Sequence, residues 1–349
     1  MRSARPKPLH RLCGRPMVLH VLDAVIDLHV ARAVVVVGHG ADRVTKTLLE
    51  EAPVGLRLEF VTQHAQRGTG DAVSVALTAF PTEDDDDFDG GDIIVMPGDQ
   101  PLFRPETLAA LVRTHREADA GATILTARLP DPTGLGRIVR AKSGRVERIV
   151  EQRDATDEER KIDEINTSVY CFRQSLLAPA LRRLSPANSQ GEYYLTDVVE
   201  VLFHAGYNTV SHVVDDPAEA QGVNDRLQLA SAEAELRRRT NDRLMDHGVT
   251  MLDPARTYVD AAVIIDRDVT LFPGTLLQGA CKIGAGAEIG PDTRLVDTTV
   301  GEGAIVQFSL ARRAHIGAGA VVGPFASLEP GSHVAPGVFT GPFFRAQPE

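Results

Sequence analysis

No apolar run in this sequence approaches the roughly 20 residues that cross a bilayer, so an integral membrane protein is not expected. The basic N-terminus, Met1-Arg2-Ser3-Ala4-Arg5-Pro6-Lys7, is not followed by an apolar segment and does not read as a secretory signal. Cysteine is scarce. Cys13, Cys171 and Cys281 lie far apart without metal-ligand spacing and read as reduced thiols of a cytoplasmic protein. An excess of positive charge is missing too: the net charge of −11 argues against nucleic acid as the main partner, since a phosphate backbone needs a basic face. Nor is a Ser-His-Asp or Cys-His set for nucleophilic catalysis apparent.

What is present is enough chain for two cores, at 349 residues with 43% hydrophobic and 24% charged side chains. From Ala33 to Asp225 short apolar runs alternate with helical segments. Ala33–Val37 and Ile93–Met96 are continuous apolar runs of the kind buried in a parallel sheet. Asp71–Phe80 has helix-forming composition, and Thr107–Ala118 carries Leu108, Leu111 and Val112 on one face. Strands separated by helices predict an α/β layered domain. The acidic block Glu83-Asp84-Asp85-Asp86-Asp87, with Asp89 and Asp92, reads as a solvated loop. Near Asn224 the texture changes to an arm, Leu227–His247, rich in Ala, Leu, Glu and Arg and stopped by Gly248.

Beyond the arm an aliphatic residue recurs at every sixth position: Val259, Ile265, Leu271, Leu277, Ile283, Ile289, Leu295. The phase slips by one residue to Val300 and Val306, then by a longer insertion to Ile316, Val322, Leu328 and Val334. Smaller residues stand four positions on, at Val263, Val269, Thr275, Cys281, Ala287, Thr293 and Thr299. This is the signature of a parallel β-helix, in which each unit is one short strand plus a turn and stacked coils bury the aliphatic column.

Four constellations in the first part carry chemistry. Met96-Pro97-Gly98-Asp99 ends a buried run, where ligands of α/β sheets bind, and a carboxylate there suits Mg²⁺ shared with a triphosphate. By itself it is also an ordinary turn. Gln63-His64-Ala65-Gln66-Arg67-Gly68-Thr69-Gly70-Asp71 runs from a strand into a helix and suits close backbone approach to a ligand, or simply a turn and cap; His64 reads as a surface residue. The third is Asp131-Pro132-Thr133-Gly134-Leu135-Gly136-Arg137-Ile138 with Val150-Glu151-Gln152 and Ile165-Asn166-Thr167. The fourth, Gly222-Val223-Asn224-Asp225-Arg226, opens the arm and is equally a helix N-cap.

Taken in order, with Pro6-Lys7-Pro8-Leu9-His10, Gly38-His39-Gly40, Glu164-Ile165-Asn166-Thr167 and Gln190-Gly191-Glu192-Tyr193-Tyr194-Leu195-Thr196-Asp197, these stretches resemble a bacterial enzyme family. It is that of the bifunctional N-acetylglucosamine-1-phosphate uridylyltransferase/glucosamine-1-phosphate acetyltransferases. The resemblance implies a Rossmann-like nucleotidyltransferase domain over residues 1–226, a linker helix over 227–248 and a short left-handed parallel β-helix of hexapeptide repeats over 249–349. It implies transfer of UMP from UTP to N-acetylglucosamine-1-phosphate for cell-envelope precursors, with Mg²⁺ as cofactor and a homotrimer built through the β-helix. Lys7 would contact phosphate, and Lys7 with Asp99 would form the catalytic pair. Gln63, Gly68 and Thr69 would hold uracil, with Pro97 and Gly98 beside the nucleotide. Gly136, Glu151 and Asn166 would bind the amino-sugar, while Asp99 and Asn224 would hold the metal.

Two departures from the family follow from the same comparison. The family opens with a strand and a glycine-rich Leu-Ala-Ala-Gly-x-Gly-Thr-Arg-Met loop, and this sequence begins at what corresponds to the loop's last Met. Where the family has Leu-Arg-Pro-Gly on a sugar phosphate, this chain has Leu328-Glu329-Pro330-Gly331, which predicts repulsion and no acetyltransferase activity. The alternative expectations are a non-catalytic trimer that binds nucleotide or sugar phosphate, and a nucleotidyltransferase for another sugar-1-phosphate.

Overall fold

The computed structural model describes residues 1, 3–38, 40–80 and 90–347. The acidic stretch 83–89 and His39 therefore lie outside the described residues. Two compact units are present, one of Met1–His10 and Met17–Asp225, the other of Arg11–Pro16 and Arg226–Glu349.

Near the N-terminus, after a 3-10 turn at Lys7–Leu9, lies a hairpin, β1 (Arg11–Leu12) and β2 (Arg15–Pro16), that clusters with the second unit and not with its sequence neighbours. Its turn residues Cys13 and Gly14 both have positive φ, 45° and 77°, the backbone of a tight two-residue hairpin turn. Cys13 N–H donates to Glu233 Oε2 at 2.7 Å, and its carbonyl accepts from Ala261 N–H at 2.9 Å. A Cβ on Gly14 would lie 2.4 Å from Asp260 Oδ2, so only glycine fits. Burial pushes the Cys13 thiol well above its ordinary value, with the Glu233 and Asp260 carboxylates adding to the shift.

The first unit follows as α1 (Met17–Ile26), β3 (Ala33–Val37), α2 (Ala41–Glu51), β4 (Leu58–Thr62), α3 (Thr69–Leu77), β5 (Asp92–Val95), α4 (Pro105–Glu117), β6 (Ala122–Arg128), β7 (Arg137–Arg140), β8 (Val146–Val150), β9 (Glu164–Arg173), α5 (Gln174–Leu181), α6 (Asp197–His204) and β10 (Thr209–Val213). The main sheet runs β10-β6-β9-β7-β8, with β5 also on β9. Pleating sorts its side chains onto two faces. Tyr170 and Phe172 of β9 and Ile124 of β6 pack with Leu177, Val198 and Leu202 of α5 and α6. Their neighbours Val169, Cys171 and Leu125 pack on the opposite face with Ala24 and Val25 of α1 and Leu108 and Leu111 of α4. The α/β layering is therefore present, but the sheet is mixed. The run at 93–96, expected in a parallel sheet, forms β5 and pairs antiparallel with β9. β3 and β4 make a separate parallel pair, and among the described residues no ladder joins β3 to β5.

Asp92 does not belong to a solvated loop: it opens β5 and accepts from Arg116 Nε at 2.8 Å, with His115 Nε2 3.3 Å away. These partners outweigh desolvation and hold its carboxyl down at about 2.

The second unit carries α7 (Arg226–Asp246), ended by Gly248 at φ 96°, and a parallel β-solenoid of about five turns. Three ladders form its walls, and each stacks residues in strict register, as in Leu271↔Ile289, Ile289↔Val306 and Val306↔Val322. Asn241 of α7, 1% exposed, ties the helix to the first coil by donating to Pro254 O at 2.8 Å and Thr257 O at 3.0 Å. The step from Val306 to Ile316 is not an insertion. Ala311 occupies the aliphatic position between them, fully buried and in register with Leu295 and Leu328. Thr298, not Thr299, fills the small inward position of its coil, because the turn after Leu295 is one residue short.

Candidate nucleotide and sugar-phosphate site

The C-terminal end of β5 delivers Met96-Pro97-Gly98-Asp99 as a turn, and Asp99 O accepts from Val223 N–H at 2.9 Å. That bond brings Asn224 alongside. Lys7 sits in a short 3-10 turn, Lys7–Leu9, anchored by the buried Leu9. Its ammonium donates to Asp99 Oδ2 and to Asn224 Oδ1, the second at 2.6 Å. Residues 7, 99 and 224 thus meet at one point, and two oxygens from distant segments surround one cation. Charge-assisted bonds of this kind are the strong ones. One carboxylate and one amide oxygen are a hard donor set, too few for a cage and suited to a small divalent ion that keeps water or phosphate oxygens. Among the described residues no group of three or more His, Cys, Asp or Glu is arranged for a metal. Gly98 has room: a Cβ there would find its nearest neighbour, Val18 Cγ2, at 3.8 Å.

Gln63 follows the end of β4, and its N–H donates to Val37 O at 2.9 Å, so both strands of the parallel pair end together. Its side-chain amide donates to Asp71 Oδ2 at 2.7 Å and to Gly68 O at 3.3 Å, closing the loop on itself. Gly68, at φ 109°, lies against the segment around Tyr193; a Cβ would stand 2.5 Å from Tyr193 O and 2.9 Å from Tyr193 N. That approach is sealed by Tyr193 N–H to Arg67 O and Gly70 N–H to Tyr193 O, both 2.8 Å. Thr69 begins α3, and its Oγ1 accepts from Leu195 N–H at 3.1 Å. His64 is exposed.

Gly136, Glu151 and Asn166 come together from three adjacent strands. Asn166 N–H donates to Gly136 O at 2.9 Å, and a Cβ on Gly136 would lie 3.4 Å from Asn166 Cβ and 3.5 Å from Glu151 Oε1. The Asn166 side chain is fixed at both ends: Nδ2 donates to Tyr170 Oη at 2.8 Å and Oδ1 accepts from Ser168 N–H at 3.0 Å. Burial raises the Glu151 carboxyl, and the nearby charges of Asp154 and Asp197 raise it further. Asp197 is pushed up to about 6 by burial and by the charges of Glu200 and Asp154. Sequence reading did not assign roles to Asp154, to Asp197 or to Tyr193. Asp154 and Asp197 betray themselves only through space, as charges near Glu151.

An open groove of about 470 Å³ lies elsewhere, between α2 and the β3–β4 pair, where Val37, Thr45, Leu49 and Phe60 line it; it includes none of the candidate site residues.

A mixed α/β sheet with a glycine-framed loop and an acid at a strand end is the layout of a layered α/β domain that takes its ligand at the ends of its strands. Residues 2–218 match the family described as "Nucleotidyl transferase". The chain is 41% identical over 343 residues to the bifunctional protein GlmU of Heliobacterium modesticaldum, an alignment that spans 98% of this chain and 72% of that protein. It is 44% identical to the protein of the same name from Desulfitobacterium hafniense, over 98% of this chain and 73% of the relative. With the one from Thermobifida fusca the identity is 46% over 317 residues, 91% of this chain and 64% of the relative. The chain belongs to the nucleotidyl transferase family, in its bifunctional GlmU branch. No helix among the described residues is long and apolar enough to cross a membrane.

Proposed function

We propose that this chain transfers UMP from UTP to N-acetylglucosamine-1-phosphate, giving UDP-N-acetylglucosamine and pyrophosphate for cell-envelope precursors. The observation that carries the reading is the meeting of Lys7, Asp99 and Asn224 beside a sheet that also gathers Gly136, Glu151 and Asn166. A phosphate monoester is already largely anionic near pH 7, so its oxygen attacks the α-phosphorus without a general base. The work left to the protein is alignment and charge neutralisation. Mg²⁺ held by Asp99 and Asn224 would neutralise triphosphate charge. Lys7, released from those two oxygens, turns its ammonium to the phosphates. Gln63, Gly68 and Thr69 frame the uracil, with Pro97 and Gly98 leaving space beside it. Gly136 offers backbone, and Asn166 and Glu151 offer polar atoms, to the acetamido sugar.

The relatives are named bifunctional, and the second activity is open to test. Glu329 stands where the resemblance places an arginine on the sugar phosphate, so acetyl transfer is expected to be absent. Pyrophosphate release from UTP, N-acetylglucosamine-1-phosphate and Mg²⁺, run beside free-CoA release from acetyl-CoA and glucosamine-1-phosphate, separates the two. No pyrophosphate above a protein-free control would sink the main reading. We also propose a homotrimer through the solenoid, whose outer surface exposes Tyr258, Ile264, Phe325, Phe339 and Phe343. Sedimentation as a monomer at micromolar concentration would exclude it. The reading places the enzyme in the cytoplasm, where UTP is made and used.

A further inference from the structure

Arg137 is the largest fully buried side chain among the described residues, at 1% exposure, yet no carboxylate among them lies within ion-pair distance of it. A desolvated guanidinium with neutral partners is costly, and its buried Nε has no partner among the described residues. Its two terminal nitrogens have specific tasks. Nη1 donates to Leu135 O, and Nη2 donates to Gln152 Oε1 at 2.7 Å. The same Gln152 oxygen accepts from Gly134 N–H at 3.2 Å. One guanidinium and one amide therefore clamp both ends of the Gly134–Leu135 turn. Gly136 comes next in the chain, and Glu151 is the neighbour of Gln152. Backbone pairing of Arg137 with Val150 and Ile165 fixes the same three strands from beneath.

We propose that Arg137 and Gln152 are positioning residues for the sugar-phosphate substrate, a staple that holds the Gly134–Gly136 backbone at a set distance from Glu151 and Asn166. The inference rests on the sugar-phosphate reading given above. The fork matters: Arg137 reaches two acceptors that diverge, one on its own turn and one on the strand opposite, and a lysine ammonium cannot span both in fixed geometry. Gln152 matters only as an acceptor, since a single oxygen serves both donors. A displacement of about 1 Å in such a frame costs up to about 10²-fold in rate. The staple lies on the sugar side, so its loss is selective between the two substrates.

The test uses the full chain and steady-state pyrophosphate release, with KM measured separately for N-acetylglucosamine-1-phosphate and UTP. Arg137→Lys and Gln152→Met are each expected to raise the sugar-phosphate KM roughly 10-fold or more, with the UTP KM within about twofold of the parent. Gln152→Glu keeps an acceptor for both donors and is expected to restore the sugar-phosphate KM to within about threefold. Should Arg137→Lys fail to fold, as judged by its melting curve, the Gln152 pair decides. Equal losses for both substrates, or Gln152→Met indistinguishable from the parent, would overturn the staple. A parent chain without turnover overturns the functional reading and the staple with it, whereas an active parent with unaffected variants overturns the staple alone.

Discussion

In the solenoid, each buried side chain stacks on its counterpart one coil away, and the partner of Leu271 is Ile289, eighteen positions on. In the first unit, the residues around the Lys7 ammonium come from positions 7, 99 and 224. The first arrangement is a near-neighbour system, in which a coil's stability is set by the coils on either side. The second is a convergence of loop ends on a sheet, in which no segment by itself contains the proposed site. A change in the solenoid should therefore be read as lost structure, and a change at the convergence as lost chemistry.

The largest expected effect comes from Ile289→Asp, which places an unpaired charge at a fully buried position between Leu271 and Val306. A loss of at least ~4 kcal/mol is expected, enough to open the neighbouring coils. Hydrogen exchange over residues 270–322 is the measurement, and protection equal to the parent would contradict the coil-by-coil account. Next is Asp99→Ala, where the side chain is partly exposed but faces the Lys7 ammonium. Pyrophosphate release is expected to fall ~10²–10³-fold, as for other groups that stabilise developing charge. The melting midpoint should stay near that of the parent; activity within tenfold would remove Asp99 from the site.

The smallest effect is Asp197→Asn. Its folded-state carboxyl is raised to about 6 from an ordinary value near 4, so the native state holds the proton that the unfolded chain gives up. Stability from this group is therefore present below pH 4 and lost as pH rises to about 6. Replacing it with Asn is expected to raise the melting midpoint by ~1–2 °C at pH 7 and to change nothing at pH 4. Asp92 runs the other way: with its carboxyl held at about 2, its contribution is present above pH 4 and lost as pH falls through 2. A pH-independent gain in Asp197→Asn would show that desolvation is not what Asp197 suffers.

Regular local patterns were legible in the residues alone. The five-residue run Ala33–Val37 is β3 from end to end, and the Ala-, Leu- and Glu-rich arm is α7 from Arg226 to Asp246. The aliphatic column of the β-helix was visible because its period is fixed by coil geometry, and burial then falls on the same phase in every turn. Where that phase is carried by a small residue, the pattern fails. Ala311 is as deeply buried as Leu295, but alanine is too common to mark a column. Asp92 was misplaced for the opposite reason: its charged neighbours in sequence suggested solvent, and its partners His115 and Arg116 lie on a helix more than twenty residues away.

The sequence by itself determined the class of both units, because alternating apolar runs and a six-residue period demand burial that few architectures supply. Its ordered motifs also pointed to the residues proposed for the site. Only the tertiary structure decided the antiparallel pairing of β5, since hydrophobic runs carry no direction. It alone decided that Arg11–Pro16 folds with the second unit, through contacts of Cys13 and Gly14 with Glu233 and Asp260. And it alone revealed the Arg137–Gln152 clamp. A buried arginine is recognised by what surrounds it, and its surroundings are assembled from strands that the sequence keeps apart.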